Sequence, residues 1–395
     1  MNEQSKWTQR ALSEVGELTR GRRFTKSDYV ESGLGCIHYA QIHTAYKTIA
    51  RTPLTFLPED SRTKMRLAHP GNLVIAATSE NVDDVGKAVA WIGDDDVAVH
   101  DDCYIFRHEL DPVYVSHFFA SSLFQSQKIK YVSETKVVRI SGANLSMIEI
   151  PVPPRQVQER IVEVIGAVDD QITALEAELE AVVNVRKGTV GRSTDTEHVT
   201  LGSLGVVSQG KGLPKKSQGK RTGDVSWYKI ADMTGPGNEF GYTIADTRLT
   251  PLEVSEIGGV VVEAGAVTFP RVGGAILTEK KRIVDTPGAL DENHLVITPS
   301  EGTNSEYLLA VMERFALSSL VRPGAVPSLN MSLIRSTKVP WSWTENQRLG
   351  AALAELRTES RVLAAEAASL RTTRAALLSG LLDRTIDIQS AELEA

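Results

Sequence analysis

Cysteine is nearly absent from this chain: 395 residues contain two, Cys36 and Cys103, both in the first half. That excludes a four-cysteine zinc cluster and a disulfide-stapled secreted scaffold. One disulfide stays open, and two buried thiols in a reducing cytosol are the expected state. No apolar run approaches the roughly 18–20 residues that span a bilayer. Met1 to Lys6 has no apolar core of a signal peptide, so the expectation is a cytoplasmic protein without a membrane partner. There is no GxxxxGK[ST] phosphate loop, Gly-x-Ser-x-Gly elbow or His-Glu-x-x-His helix. The histidines (His38, His43, His69, His100, His108, His117, His198 and His294) are scattered without ligand spacing. Asp94-Asp95-Asp96 and Asp101-Asp102 lack calcium-loop spacing and read as solvated turns. Gly258-Gly259 and Gly273-Gly274 also read as turns. The expectation is no metal, no cofactor and no catalytic residue in this chain. Positive charge is short overall, with a formal net charge of −7. That argues against indiscriminate binding to polyanions but leaves room for local basic surfaces.

What is present is a repeat. The length suits two domains, each large enough for its own core. Ile150-Pro151-Val152-Pro153-Pro154 through Gln158 and Ile161 is echoed by Val339-Pro340-Trp341-Ser342-Trp343 through Gln347, an offset of 189 that also aligns Pro151 with Pro340. Leu12 to Gly16 aligns with Leu201 to Gly205, and Tyr39 with Tyr228. Pro70 to Ile75 resembles Ala264 to Phe269, and Val99 to Ile105 resembles Leu290 to Val296. Repeats are sought before folds are named, and these matches keep one order.

Each repeat ends in a long helical pattern. From Arg155, the residues Ile161, Ile165, Val168, Ile172, Leu175, Leu179 and Val182 alternate spacings of four and three, a heptad seam. Gly188 and Gly191 are natural stops. In the second copy Leu349, Leu353, Leu356, Leu363, Ala367, Leu370, Leu377 and Leu381 keep the alternation, with Ser360 and Arg374 as polar interruptions. Thr344 is the expected N-cap, with Gln347 three residues on. Roughly 31 residues give a first helix about 47 Å long, with an apolar seam that needs a partner. Pairing with its own duplicate implies an antiparallel coiled coil. Packing of each helix onto its own domain is the competing reading. Ahead of the helices, Leu73–Thr78, Val97–Val99, Val260–Val262 and Leu295–Thr298 read as strands, and Val113–Phe124 and Ser305–Leu320 as helical patches. Each globular half is therefore expected to be α+β.

Positive charge clusters at matching places. Gly21 is followed by Arg22, Arg23 and Lys26 and preceded by Arg20; Gly210 is followed by Lys211, Lys215, Lys216, Lys220 and Arg221. Lys280-Lys281-Arg282 and Arg271 add to the second half; Lys128, Lys130, Lys136 and Arg139 add to the first.

The phrase Ile150 to Pro154 with Gln158, Ile161 and Asp169-Asp170-Gln171-Ile172, and the tail Val185 to Val190, resembles the central conserved region of the specificity subunits of type I restriction–modification enzymes. Val339-Pro340, Gln347 and Arg374 to Gly380 resemble its second copy, which departs by carrying Trp341-Ser342-Trp343 where prolines are usual. The resemblance implies an α+β chain with two pseudo-two-fold-related target-recognition domains, residues 1–154 and 193–343. A central conserved helix (155–192), a C-terminal helix (344–384) and a short tail (385–395) complete it. Two full halves with a short tail read as a free-standing chain rather than a module of a fused enzyme. It implies double-stranded DNA as partner, each domain reading half of a bipartite site, with the helices fixing the gap between the halves. Domain centres about one helix length apart, roughly 45–50 Å, would sit on major-groove segments about one turn of about 34 Å, or slightly more, from each other. The resemblance also implies two methyltransferase subunits carrying S-adenosylmethionine, and motor-nuclease subunits using ATP and Mg. No Asp/Asn-Pro-Pro-Tyr motif of an adenine methyltransferase is present here.

On that reading the basic residues grip phosphate, which gives salt-sensitive affinity without sequence information. The sites expected to touch DNA are Arg20, Arg22, Arg23, Lys26, Lys128, Lys130, Lys211, Lys215, Lys216, Lys220, Arg221, Arg271, Lys280 and Lys281. A flexible solvated loop is the other reading of Lys211–Arg221. Base-edge candidates are Arg22, Gln41, Gln209, Asn238, Arg271 and Asn293. Tyr39, Trp227 and Tyr228 either stack on a base or, the favoured reading, belong to the core. The pairing seam is expected to use Ile161, Ile165, Val168, Ile172, Leu175, Leu179, Leu353, Leu356, Leu363 and Leu370. A protein–protein adaptor without a nucleic-acid role is the alternative.

Overall fold

A computed structural model describes residues 7–133, 137–191, 194–321 and 327–388. It divides into two compact units, Met1–Ile172 with Leu370–Ala395, and Thr173–Ser369. The division falls inside both long helices, so each unit contains one globular half and a length of each helix, unlike the sequence boundaries at 154 and 343.

The two globular halves share element order and register. Thr8–Ala11 pairs antiparallel with Glu149–Val152, placing Thr8 opposite Val152; Glu197–Thr200 pairs with Lys338–Trp341, placing Glu197 opposite Trp341. In the first half the larger sheet runs Gly16–Arg20, Cys103–His108, Leu73–Ala76, Ala88–Trp91, Ile49–Ala50. In the second half it runs Gly205–Gln209, His294–Pro299, Val267–Pro270, Arg282–Ile283. A smaller sheet in each contains a parallel pair, Leu34–Ile37 beside Val97–Val99 and Val225–Tyr228 beside Gly288–Leu290.

Period-two alternation explains why the central strands are apolar throughout. Leu73 and Ile75 enter one buried cluster while Val74 and Ala76 enter another, so both faces of the strand are covered. The second half divides in the same way, with Phe269 and Ile297 on one side and Ala266 and Val296 on the other.

One face of each sheet is covered by a helix, Pro112–Phe119 and Ser305–Arg314 respectively. Asp111 and Asn304 cap them with side-chain oxygens that accept from the first-turn amides. The long helices hold these caps. Gln158 Oε1 accepts the Asp111 amide at 2.8 Å, and Asn346 Oδ1 accepts the Asn304 amide at 2.8 Å. The counterpart of Gln158 is therefore Asn346; Gln347, aligned with it in sequence, is exposed.

The central helix spans Arg155–Thr189, 35 residues, longer than expected because Gly188 continues it. Gly191, at φ +74°, follows its end. The closing helix spans Trp343–Leu382. Its cap is Ser342, whose hydroxyl accepts the Glu345 amide at 3.1 Å, and not Thr344. The other differences are local. The 113–124 patch breaks into Pro112–Phe119 and Ser122–Lys128 because the Ser121 hydroxyl starts a new cap. The 305–320 helix stops at Arg314, and the Glu279 carboxylate takes the amides of Leu317 and Ser318. Leu73–Thr78 ends as a central strand at Ala76, and of Val260–Val262 only Val262 makes a bridge.

The start of the central helix and the end of the closing helix share a buried cluster containing Ile161, Ile165, Leu378, Leu381 and Leu382. Val190, just past the end of the central helix, lies in another buried cluster with Leu349 and Leu353 at the start of the closing helix. That order is antiparallel, and in both places the helices also pack on globular core, so pairing and local packing coexist. Ile172, Leu175 and Leu363 are buried, whereas Val168, Leu179, Leu356 and Leu370 are half-buried. The polar interruptions lie on the same seven-residue progression as the apolar positions. Ser360 is buried and donates to the Leu356 carbonyl. Arg374 donates from Nε and Nη2 to both oxygens of Asp169 at 2.5 and 2.8 Å, and its Nη2 lies 3.3 Å from His117 Nδ1. Burial, reinforced by Arg374, pushes His117 down to about 4. In the second unit Arg186 occupies the corresponding place, pairing with Glu313 and Glu306 on the helix Ser305–Arg314. Glu306 is also held by Arg357, which reaches Asp285 as well. Buried apolar seams tolerate shifts in register; charged pairs at fixed seam positions do not.

Candidate nucleic-acid interface

The strand Gly16–Arg20 leads into Gly21 and Gly205–Gln209 into Gly210, and each glycine is there because nothing larger fits. The Gly21 amide donates to Cys103 O and the Gly210 amide to His294 O. A Cβ on Gly21 would lie 2.1 Å from the His100 carbonyl oxygen, and one on Gly210 2.0 Å from that of Asp291. The next amides continue the contact, Arg22 to Val99 O and Lys211 to Leu290 O, both at 2.9 Å. Each half thus presents a pinned turn with a basic residue directly after it.

Beyond the pins the charges are displayed unequally. Arg20, Arg22, Arg23 and Lys26 are exposed, and Arg22 is braced on the Lys64 carbonyl. Lys211, Lys215 and Lys216 are exposed, the last two on a short turn. Lys220 is half-buried and paired with Glu253, whose carboxyl it draws down to about 2. Arg221 faces Asp246 at 3.6 Å with both side chains exposed, a contact of little strength. Arg271 and Lys280 are half-buried; Lys130 and Arg139 are exposed. Lys136 lies outside the described residues.

Two of the expected DNA contacts are corrected. Lys128 is fully buried, and its ammonium donates to the carbonyls of Val82, Asp83 and Val85 at 2.8, 3.1 and 2.9 Å. Lys281 is also buried, donating to the Phe315 carbonyl and to Glu279. Neither is available for phosphate, and Arg282 next to it spends its guanidinium on three backbone carbonyls. Nothing in the local sequence separates Lys128 and Lys281 from exposed cations, because the carbonyls that receive them come from segments more than 30 residues away.

The base-edge candidates divide similarly. Gln41 and Asn238 are buried and used internally, Gln41 on the His38 amide and Thr55 hydroxyl, Asn238 on four backbone groups. Trp227 and Tyr228 are core residues with no exposed surface, so neither stacks on a base; Tyr39 is half-buried. Gln209 is exposed, whereas Asn293 and Arg271 are half-buried.

A polar chain not anticipated from the sequence supports the second loop. Asp291 Oδ1 lies 2.7 Å from His294 Nδ1, and His294 Nε2 lies 2.7 Å from the Tyr242 hydroxyl. Burial pushes the Asp291 carboxyl up, but the His294 contact and the amides of Asn293 and Ile230 together hold it below the usual range. Burial raises the Tyr242 hydroxyl. The resemblance to a hydrolase relay stops at access, since His294 and Tyr242 are fully buried. Its role is to fix the turn bearing Glu292, whose carbonyl receives both Gln209 and Arg271. In the first half His100, Asp101 and Asp102 lie together at the matching turn. His100 contacts the Phe24 carbonyl through Nε2 and the Asp102 amide through Nδ1, so its ring is used in shaping that turn.

Comparison with known proteins places this geometry. Residues 4–185 match the family model described as type I restriction modification DNA specificity domain. The chain is 23% identical over 293 residues to the type I restriction enzyme StySPI specificity subunit of Salmonella potsdam, covering 68% of this chain and 62% of that one. It is 24% identical over 187 residues to the EcoKI specificity subunit of Escherichia coli K12, covering 46% of this chain and 40% of that one. The matches thus span less than two thirds of these curated relatives. Among solved structures, the S subunit of a type I restriction–modification system from M. genitalium superposes with TM-score 0.57 at 14% identity, over 97% of each chain. A chain from a structure on complex assembly and conformational transition of the type I R-M system gives 0.50 at 14%, over 95% of this chain and 97% of that one. Residues 4–185 therefore resemble the type I restriction modification DNA specificity domain, and over 97% of the chain the fold is that of a solved S subunit of a type I restriction–modification system.

Proposed function

We propose that this chain is the sequence-reading subunit of a type I restriction–modification complex and catalyses nothing alone. Each half takes one portion of a bipartite, asymmetric site on double-stranded DNA. The paired helices set the spacer and dock two methyltransferase (modification) subunits, with motor-nuclease (restriction) subunits completing the assembly. S-adenosylmethionine, ATP and Mg belong to those partners, and the complex works on DNA in the cytoplasm. Among the described residues no helix is long and apolar enough to cross a membrane.

The observation that carries this reading is the recurrence, in both halves, of one pinned glycine turn followed by exposed cations, built on the same strand register but with different side chains. Recurrence supplies two phosphate grips; the differing side chains supply two unlike half-sites. The test uses the chain assembled with methyltransferase subunits. Binding to nonspecific duplex should weaken steeply with salt, the logarithmic slope being about −0.9 per phosphate contacted. Methylome sequencing of a host with and without the chain should show one asymmetric bipartite motif that depends on it. A flat salt response together with an unchanged methylome would support a protein–protein adaptor instead.

A further inference from the structure

The last residue of the strand before each loop glycine differs between the halves. Arg20 stands opposite Tyr104 in its ladder, and Gln209 stands opposite Leu295 in the equivalent one. The matched registers make Arg20 and Gln209 one structural position. Both side chains are exposed, and both are tethered in the same way. Arg20 Nε donates to the Asp101 carbonyl at 2.6 Å; Gln209 Nε2 donates to the Glu292 carbonyl at 3.1 Å. Asp101 and Glu292 each lie two residues before the strand that receives the loop glycine, so they too are equivalent.

The tether uses one donor and leaves the far end of each side chain available. Arg20 keeps its two Nη groups, a forked pair of donors matching O6 and N7 of guanine. Gln209 keeps one N–H and its carbonyl oxygen, the pair that matches N7 and the N6 amino group of adenine. The surroundings differ in the same sense. Arg20 borders a cavity of about 250 Å³ shared with Tyr104, Tyr131 and Arg139. At the matching positions of the second half Leu295 replaces Tyr104, and Ser328, which bridges to Val272 as Arg139 pairs with Thr78, replaces Arg139. A fixed backbone position with exchangeable hydrogen-bonding ends is what a specificity determinant requires, because phosphate gripping needs charge and not a particular edge.

The geometry points to Arg20 and Gln209 as the matched base-reading side chains of the two halves, Arg20 for guanine and Gln209 for adenine in the major groove. This rests on the proposed DNA-reading function and moves Arg20 from phosphate contact to base contact. The test is in-vitro selection from a randomised duplex library by the full chain assembled with methyltransferase subunits, run for wild type, R20Q, R20K and Q209R, with salt-titrated affinity for nonspecific duplex measured alongside. R20Q should lower the guanine-over-adenine ratio at a single base pair of one half-site by about 5- to 150-fold, leaving the other half-site unchanged. Q209R should do the converse in the other half-site. R20K keeps the charge but not the fork, so it should weaken the guanine preference less than R20Q does, with nonspecific affinity intact. Uniform weakening on all sequences with a shallower salt slope, or an unaltered motif in R20Q and Q209R, would overturn the assignment while leaving the DNA-reading function standing. A wild-type complex that selects no motif would remove both.

Discussion

Replacing Lys128 by methionine separates a structural cation from a DNA contact. The stem keeps its length, so the loss is confined to the ammonium and its three acceptors, Val82, Asp83 and Val85. Asp83 is exposed, and its carbonyl is rehydrated by water; Val85 is buried and has no such exchange. At about 1–3 kcal/mol for each buried acceptor left unmatched, one full orphan and one partial amount to about 2–4 kcal/mol. That is a large share of a typical stability of about 5–15 kcal/mol. Burial also pushes the Lys128 amine down to about 8. The folded chain then holds this proton less tightly than the unfolded chain, which binds more protons between about pH 8 and the ordinary lysine value. Stability from this group should rise with pH across that window, and K128M should abolish that rise. Urea and thermal melts of K128M beside K130M provide the assay, with salt-titrated DNA binding of the assembled complex as control. K128M should be destabilised with an unchanged salt slope; K130M, altering an exposed side chain, should leave stability within about 0.5 kcal/mol. A K128M protein of wild-type stability with a reduced salt slope would refute the reasoning.

Three further expectations follow from the same contacts. Gly21→Ala and Gly210→Ala drive a methyl group into backbone carbonyls at 2.1 and 2.0 Å; each should cost about 3 kcal/mol, the upper end for overpacking, because backbone yields less than a side chain, and unchanged melting of both would contradict the pinned turn. Arg374→Ala breaks a two-oxygen contact with Asp169, whose side chain is 38% exposed; the loss should be about 1–3 kcal/mol, below the cost for a fully buried pair. R374K should recover only a fraction of it, and hydrogen exchange should quicken along residues 374–382, whereas equal protection in R374A would show that the contact holds nothing. Cys36 and Cys103 are free and buried, with thiols raised by that burial, so a thiol reagent at pH 8 should titrate them only after guanidinium unfolding; rapid native-state reaction of either would place it at the surface.

How much was legible in the sequence depended on the range of the cause. The seam from Ile161 to Leu175, the duplicated offset and the glycine–cation turns were visible because periodicity and steric demand act within a few residues. The Ser342 cap was misplaced by two residues, since Thr344 offers the same local chemistry and only packing chooses between them. Asn346 escaped notice for a related reason. Its partner, the Asn304 amide, lies 42 residues away, and sequence alignment rewards identity, as at Gln347, not position on a helix face.

By itself, then, the sequence determined that there are two copies of one α+β unit, that each feeds a long helix with an apolar seam, and that cations follow each loop glycine. These are consequences of local pattern, which every folded arrangement of the chain must satisfy. Tertiary structure alone decided which cations reach solvent, sending Lys128 and Lys281 inward and leaving Lys211 and Lys215 outside. It also decided that Arg20 and Gln209 share one tethered position, that Arg374 meets Asp169 across the two long helices, and that Arg186 meets Glu313 on the helix Ser305–Arg314. Charge is a property of a residue, but its use is set by which carbonyls, carboxylates and water molecules the fold brings within hydrogen-bond distance.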